Sequence, residues 1–249
     1  MTDHSEFLSG PAALPVPAVT TPILIGCAHG TKSAAGQQAI RDLLAAVRIA
    51  LPEVEVREAF VDVHGPFLAD VITEIPVADE GLSAVVVPLL LAGGYHVYHD
   101  IAEAVAGRDD IVAAGALGPD QRLTAVILDR LREARVSSES TLVLAAAGSS
   151  DERAQADTTA AAELLRSTWD GPVRVAYAAG LDPSVADAVK AARAYGEDGA
   201  VAIASYLLAP GVFQSRLQEA GAEVVTAALA PHPDIVSIVI DRYSSFTHV

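Results

Sequence analysis

The chain has 249 residues, 51% of them hydrophobic and 19% charged; at about 150 residues per domain this predicts one large domain or two small ones, with ample material for a packed core. Sixteen Lys plus Arg against 32 Asp plus Glu leave a formal net charge of −16. That charge opposes both a phosphate backbone and an anionic membrane surface, so neither nucleic acid nor membrane is expected as a partner.

Residues 1–21 are rich in Pro and Ala, with Pro11, Pro15 and Pro17 closely spaced and Pro22 just beyond, and are expected to form a flexible leader. They carry acidic rather than basic residues and no continuous apolar run, so no signal peptide is expected. The single cysteine, Cys27, has no disulfide partner. The longest apolar stretches, such as 84–92, fall far short of the about 20 residues a membrane span needs. A cytoplasmic protein is expected.

From Pro22 onward short apolar runs alternate with helix-length amphipathic segments. PILIGCA (22–28) predicts a buried strand and is followed by a helix over 33–50. VEVREAFV (54–61), AVVVPLLL (84–91) and DIVAAGAL (110–117) predict three further strands. Helices are expected after Pro66, after Gly93-Gly94 and over 119–132. A polar segment, ARVSSES (134–140), reads as a linker. The pattern then restarts with strands TLVLAAA (141–147), VRVAYAA (173–179), AVAIASYLL (200–208) and AEVVTAAL (222–229), and with helices from Asp151, after Pro183 and after Gly211. Strands alternating with helices at this spacing predict an α/β fold with parallel strands and right-handed crossovers.

The two series are copies of one plan. Cys27–Thr31 aligns with Ala145–Ser149 at an offset of 118, and Pro66 and Asp70 align with Pro183 and Asp187 at 117. LLAGG (90–94) aligns with LLAPG (207–211), again at 117. Leu117, Pro119 and Asp129-Arg130 align with Leu229, Pro231 and Asp241-Arg242 at 112. Four anchors in the same order indicate an internal duplication. The expected organisation is a leader over 1–21, a first domain over 22–135 and a second over 136–249, each a small four-stranded parallel sheet flanked by helices.

Polar residues present in one copy and apolar in the other need a reason beyond the shared scaffold. His29 stands opposite Ala147, Asp62 opposite Ala179, His64 opposite Leu181 and His96 opposite Phe213. His29, Asp62 and His96 fall at or just past the ends of three strands, where an open parallel sheet places its ligand crevice. Two imidazoles and a carboxylate suit a divalent first-row metal and serve equally well as proton acceptors near neutral pH. The plainer alternatives stay open: a hydrogen-bonded loop for either histidine, a turn former for Asp62, solvated rings for His64 and His99. Gly30, matched by Gly148, is expected to permit a tight strand-to-helix turn in both copies. Gly93-Gly94 ahead of Tyr95 and His96 would let a flat ligand approach the backbone. Asp100 is placed to cap a helix there or to orient an imidazole. No dinucleotide, Walker or nucleophile-elbow motif occurs, so no organic cofactor is expected.

Together HGT (29–31), AFVDVHGP (59–66) and PLLLAGGYHVYHDI (88–101) resemble the sirohydrochlorin chelatases of CbiX/SirB type, ferrochelatase-like enzymes with a Rossmann- or flavodoxin-like fold. The resemblance runs over nearly the whole chain from residue 22, in the long form whose active site lies in the first of two homologous halves. It implies insertion of Fe2+ or Co2+, as a substrate, into sirohydrochlorin on the way to siroheme or cobalamin, with release of two pyrrole protons. Carried over by position, it implies that His29 and His96 bind metal and take protons. Asp62 stands where many members have Glu, and His64 is a further candidate ligand. Gly30, Thr31, Lys32, Gly93, Gly94, Tyr95, Phe213 and Arg216 become candidates for contact with the macrocycle, Tyr206 and Phe213 for stacking, and Asp100 and His99 for support behind the imidazoles. The second half would serve as the opposite wall, in a monomer whose halves replace a dimer. A macrocycle bearing many carboxylates further requires a cleft far less acidic than the chain as a whole. The alternative is a non-catalytic metal- or tetrapyrrole-binding protein; a histidine-nucleophile hydrolase is disfavoured because Ala28 stands where such enzymes place Arg.

Overall fold

Eight strands and their connecting helices form two parallel sheets in a computed structural model that describes residues 21–94, 96–194 and 200–247, with the backbone alone for 96–98. Tyr95 and, but for Thr21, the expected leader lie outside these residues. The first half runs β1 (Ile23–Ala28), α1 (Ala34–Ala50), β2 (Val56–Phe60), α2 (Leu68–Thr73), β3 (Ala84–Pro88), a π-helical turn His96–Ile101, α3 (Ala102–Val105), β4 (Ile111–Ala113) and α4 (Gln121–Glu133). The second runs β5 (Thr141–Ala146), α5 (Glu152–Arg166), β6 (Val173–Tyr177), α6 (Val185–Ala194), β7 (Val201–Tyr206), α7 (Val212–Gln218), β8 (Val224–Val225) and α8 (Pro233–Ser244). The sheet orders are β2-β1-β3-β4 and β6-β5-β7-β8. The repeat holds to the register: Cys27 pairs with Ala59, and Ala145 with Ala176. The α/β fold with two duplicated four-stranded parallel sheets is as expected.

The caps repeat as well. Ser33 Oγ accepts the Gly36 N–H at the start of α1, and Asp151 accepts the Arg153 N–H at the start of α5. Strand alternation then divides the core. Leu24, Val85 and Val87 of the first sheet, with Leu142, Leu144 and Ala204 of the second, belong to one continuous apolar cluster. Ile25, Cys27 and Val86 point the other way onto α2 and the Ile101 segment, and Val143, Ala145 and Ile203 do the same in the second half.

The two halves exchange their closing helices. Helix α4, which follows the first sheet, packs on α5 and β7, whereas α8 packs on α1 and β3. Each buries a stripe at helical spacing: Leu123, Val126, Ile127 and Leu131 on α4, and Ile235, Ile238 and Val239 on α8. Arginines lock the exchange. Arg130 donates to the carbonyls of Ala228, Leu229 and Pro231, and Arg242 donates to those of Ala116 and Leu117. The offset of 112 relates the two sets.

Three expectations change. The strands expected over 110–117 and 222–229 shrink to Ile111–Ala113 and Val224–Val225, because each edge strand has one neighbour and its remaining apolar residues bury as loop. The helix after Gly93-Gly94 opens as a π-helical turn, a form frequent at functional sites. Helix α8, absent from the expected strand–helix series, forms with His232 as its N-cap and Pro233 in its first turn. No described helix is long and apolar enough to cross a membrane.

Candidate active site

The loops after β1, β3, β5 and β7 meet around one cleft of about 940 Å³ between the halves. This follows from the topology, since each central strand pair carries connections that leave on opposite sides and open a crevice at its carboxyl end. His29, Gly30, Thr31, Lys32 and Gly94 line one wall; Ser149, Tyr206 and Phe213 belong to the other. Ser149 occupies the place of Thr31 in the second copy, and the repeat alignment carries that signal. Phe60, Val63 and Tyr177, which sequence reasoning did not single out, also line the cleft. The described lining holds no Asp or Glu, and it includes Lys32 and His29. A cleft whose described lining carries no acidic side chain, within a chain of net charge −16, fits the expectation of a cleft far less acidic than the chain as a whole.

His29 is half-buried, and its carbonyl accepts the Asp62 N–H at 3.0 Å. Gly30 makes that approach possible: its φ is +103°, and a Cβ there would collide with the Asp62 carbonyl oxygen. Gly148 repeats this with φ +97° against the Ala179 carbonyl. Thr31 is committed locally, its hydroxyl accepting the Ser33 N–H and its carbonyl the Gln37 amide. Lys32 is exposed at the rim.

Asp62 and His64 share one turn but stand outside the described lining of the cleft. The Asp62 carboxylate accepts the Val63 N–H at 2.6 Å. Val63 holds φ +69°, an unusual conformation for a β-branched residue, of a kind that persists where surrounding structure enforces it. The His64 ring lies 4.0 Å from that of Phe60, centroid to centroid, and its Nδ1 is 2.9 Å from the Gly65 carbonyl. Donation from Nδ1 to that carbonyl leaves Nε2 as the lone-pair nitrogen, and Nε2 is buried without a hydrogen-bond partner among the described residues. That is the arrangement by which a second hydrogen bond orients a metal-binding imidazole.

Gly93 is buried, outside the described lining, and donates its N–H to Asp157 Oδ2 at 2.7 Å. The Tyr206 hydroxyl donates to the Leu91 carbonyl at 3.3 Å. Burial, followed by the nearby charges of Asp157 and Asp120, pushes that hydroxyl well above the usual tyrosine range, so it stays a neutral donor. Arg216 lies behind the cleft, its guanidinium 5.6 Å from the Phe213 ring centroid and donating to the Ala178 carbonyl. Asp100 has an imidazole beside it, that of His99, with Nδ1 to Oδ1 at 3.5 Å; Glu103 lies 3.6 Å from the same nitrogen. The His96 side chain lies outside the described residues, among which no three His, Cys, Asp or Glu side chains gather to hold a metal.

A family model, CbiX, matches the chain twice, over residues 23–134 and 141–246. No curated protein matches it. Among solved structures, SirB from Bacillus subtilis with Fe3+ is similar at a TM-score of 0.74 and 20% identity, over 91% of this chain and 95% of that one. The sirohydrochlorin chelatase SirB from Bacillus subtilis subspecies spizizenii, in complex with cobalt, is similar at 0.71 and 18%, over 91% and 95%. CbiX, the terminal enzyme for biosynthesis of siroheme in denitrifying bacteria, is similar at 0.65 and 21%, over 90% and 98%. At these identities the structural likeness is one of fold.

Proposed function

The chain belongs to the CbiX family, and from that premise we propose that it is a chelatase inserting Fe2+ or Co2+ into sirohydrochlorin. The carrying observation is the cleft between the halves, with His29 on its wall and no carboxylate in its described lining. A flat polycarboxylate macrocycle suits a crevice of about 940 Å³ with apolar walls. Lys32 and backbone N–H groups would meet its carboxylates.

The chemistry needs a metal that sheds water and two pyrrole nitrogens that lose protons. Neutral imidazole, with an ordinary pKa of about 6.5, can accept a proton near neutral pH and can hold a first-row metal. In this reading His29 and His96 share metal delivery and proton removal. Asp62 contributes its carboxylate from the adjoining turn, and His64 offers its buried Nε2 as a further ligand. The second half supplies the opposite wall within a single chain.

Anaerobic mixing with sirohydrochlorin and Co2+ or Fe2+, followed by absorbance, tests the proposal. A rate above that of metal and macrocycle alone supports it. Saturable binding with no acceleration would replace it with a tetrapyrrole- or metal-binding protein.

A further inference from the structure

The turn at 91–94 leads into the π-helical segment that begins at His96, and two side chains of the second half hold it. Asp157, on α5, accepts the buried Gly93 N–H at 2.7 Å, and Tyr206, at the end of β7, donates to the Leu91 carbonyl at 3.3 Å. Gly94 fits tightly beside them, since a Cβ there would lie 3.2 Å from Ala154 Cβ and 3.2 Å from Ser149 Oγ.

The duplication supplies a control. The corresponding turn, 208–211, approaches α1 at Gly36, the counterpart of Ala154. In that turn Pro210 replaces Gly93 and has no N–H to satisfy. The counterpart of Asp157 is Ala39, and that of Tyr206 is Leu89. Donor and carboxylate are present together on one side of the pseudo-twofold and missing together on the other. If the contact merely joined the halves, both sides would be expected to keep it. It occurs where the turn leads to a histidine, and its counterpart leads to Phe213. A charged acceptor is also about twice as strong as a neutral one, which suits a turn that must not shift.

We infer that Asp157 is a positioning residue for metal insertion, fixing the 91–93 turn and so the seat of the His96 segment at the cleft; this rests on the chelatase reading above. The test uses the full chain carrying Asp157→Ala, Asp157→Asn, Gly93→Pro or Asp157→Ala with Gly93→Pro. Co2+ insertion is followed by absorbance, and amide exchange is followed over 89–101 and over 141–147. Asp157→Ala is expected to lower kcat about 10- to 100-fold with KM for sirohydrochlorin within about twofold, the signature of misplaced groups. It should also speed exchange about tenfold over 89–101 alone. Asp157→Asn, which keeps a carbonyl acceptor, should recover kcat to within about fivefold of the parent. Asp157→Ala should add little once Gly93→Pro has removed the donor. Unchanged kcat and exchange in Asp157→Ala would overturn the inference. So would equal acceleration of exchange in both segments with no rescue by Asn, which would mark a general role in the fold. Absence of insertion by the parent protein would instead defeat the chelatase reading, and the exchange data would still decide whether Asp157 holds the turn.

Discussion

The first half carries His29, His64 and His96 where the second has Ala147, Leu181 and Phe213, while the second carries Asp157 and Tyr206 where the first has Ala39 and Leu89. The halves have thus diverged in opposite senses on one backbone plan. In the chelatase reading proposed above, one holds the groups that take protons and bind metal; the other holds Asp157 and Tyr206, which grip the turn leading to His96. The halves nonetheless share one core: the exchanged helices α4 and α8 merge the inner faces of both sheets into one apolar cluster. With Ala147, Leu181 and Phe213 at those three places, the second half still builds the opposite wall of the cleft.

The most severe test of that division replaces histidines on the two sides. His29→Ala and His96→Ala are each expected to lower metal insertion at least about 100-fold, about 3 kcal/mol of barrier, with little change in melting temperature. His232→Ala should leave the rate intact. His232 caps α8 and lies 3.3 Å from Asp129, so its loss should cost about 1 kcal/mol of stability, a drop of about 2–4 °C. Equal losses of activity in all three variants would erase the distinction between the halves.

What the halves share is tested next. Gly30→Ala and Gly148→Ala each force a side chain onto a carbonyl oxygen at positive φ. Both should destabilise the protein by at least about 2 kcal/mol, and by similar amounts, in denaturant titrations. A large cost at one position alone would mean that the two turns are not equivalent.

A smaller effect is expected at the rim. Lys32→Glu places a carboxylate in a cleft whose described lining has none. KM for sirohydrochlorin should rise about tenfold at low salt, and the difference should shrink as ionic strength rises. A salt-independent change would point to altered packing instead of charge.

Much of this was legible in the sequence because parallel strands buried on both faces appear as continuous apolar runs. The same rule misleads at β4 and β8, where Ala114, Leu117, Ala228 and Leu229 are buried without belonging to a strand. An apolar run reports burial, and edge strands stop pairing before burial ends. The helix exchange is hidden for a related reason: the stripe on α4 shows that one face is covered but not which sheet covers it. At the site, His29 was legible from its place after β1, and the scaffold role of Gly30 from its match with Gly148. The Asp62 turn was not, since the path through Val63 depends on a backbone angle that residue type argues against. Asp157 carries the same kind of signal as His29, a polar residue against an apolar counterpart, but in the opposite copy. Its meaning appears only with the Gly93 N–H beside it.

The smallest expected effect concerns a position where the copies differ by one atom group in the same packing. Cys27 and Ala145 are both fully buried, in equivalent pairings with Ala59 and Ala176. Burial pushes the Cys27 thiol up to about 12, whereas an unfolded chain has it at about 8.5. The folded state therefore keeps the proton while the unfolded state loses it. This contribution to stability is complete below about pH 8.5 and is lost as the pH rises towards 12. Between pH 7 and pH 9 the loss should be about 0.8 kcal/mol, measured by urea unfolding. Cys27→Ala should remove that increment while costing about 1 kcal/mol at pH 7, since the second half shows that alanine fits this place. An identical pH dependence in the variant would mean that the thiol ionises in the folded core, contrary to its burial.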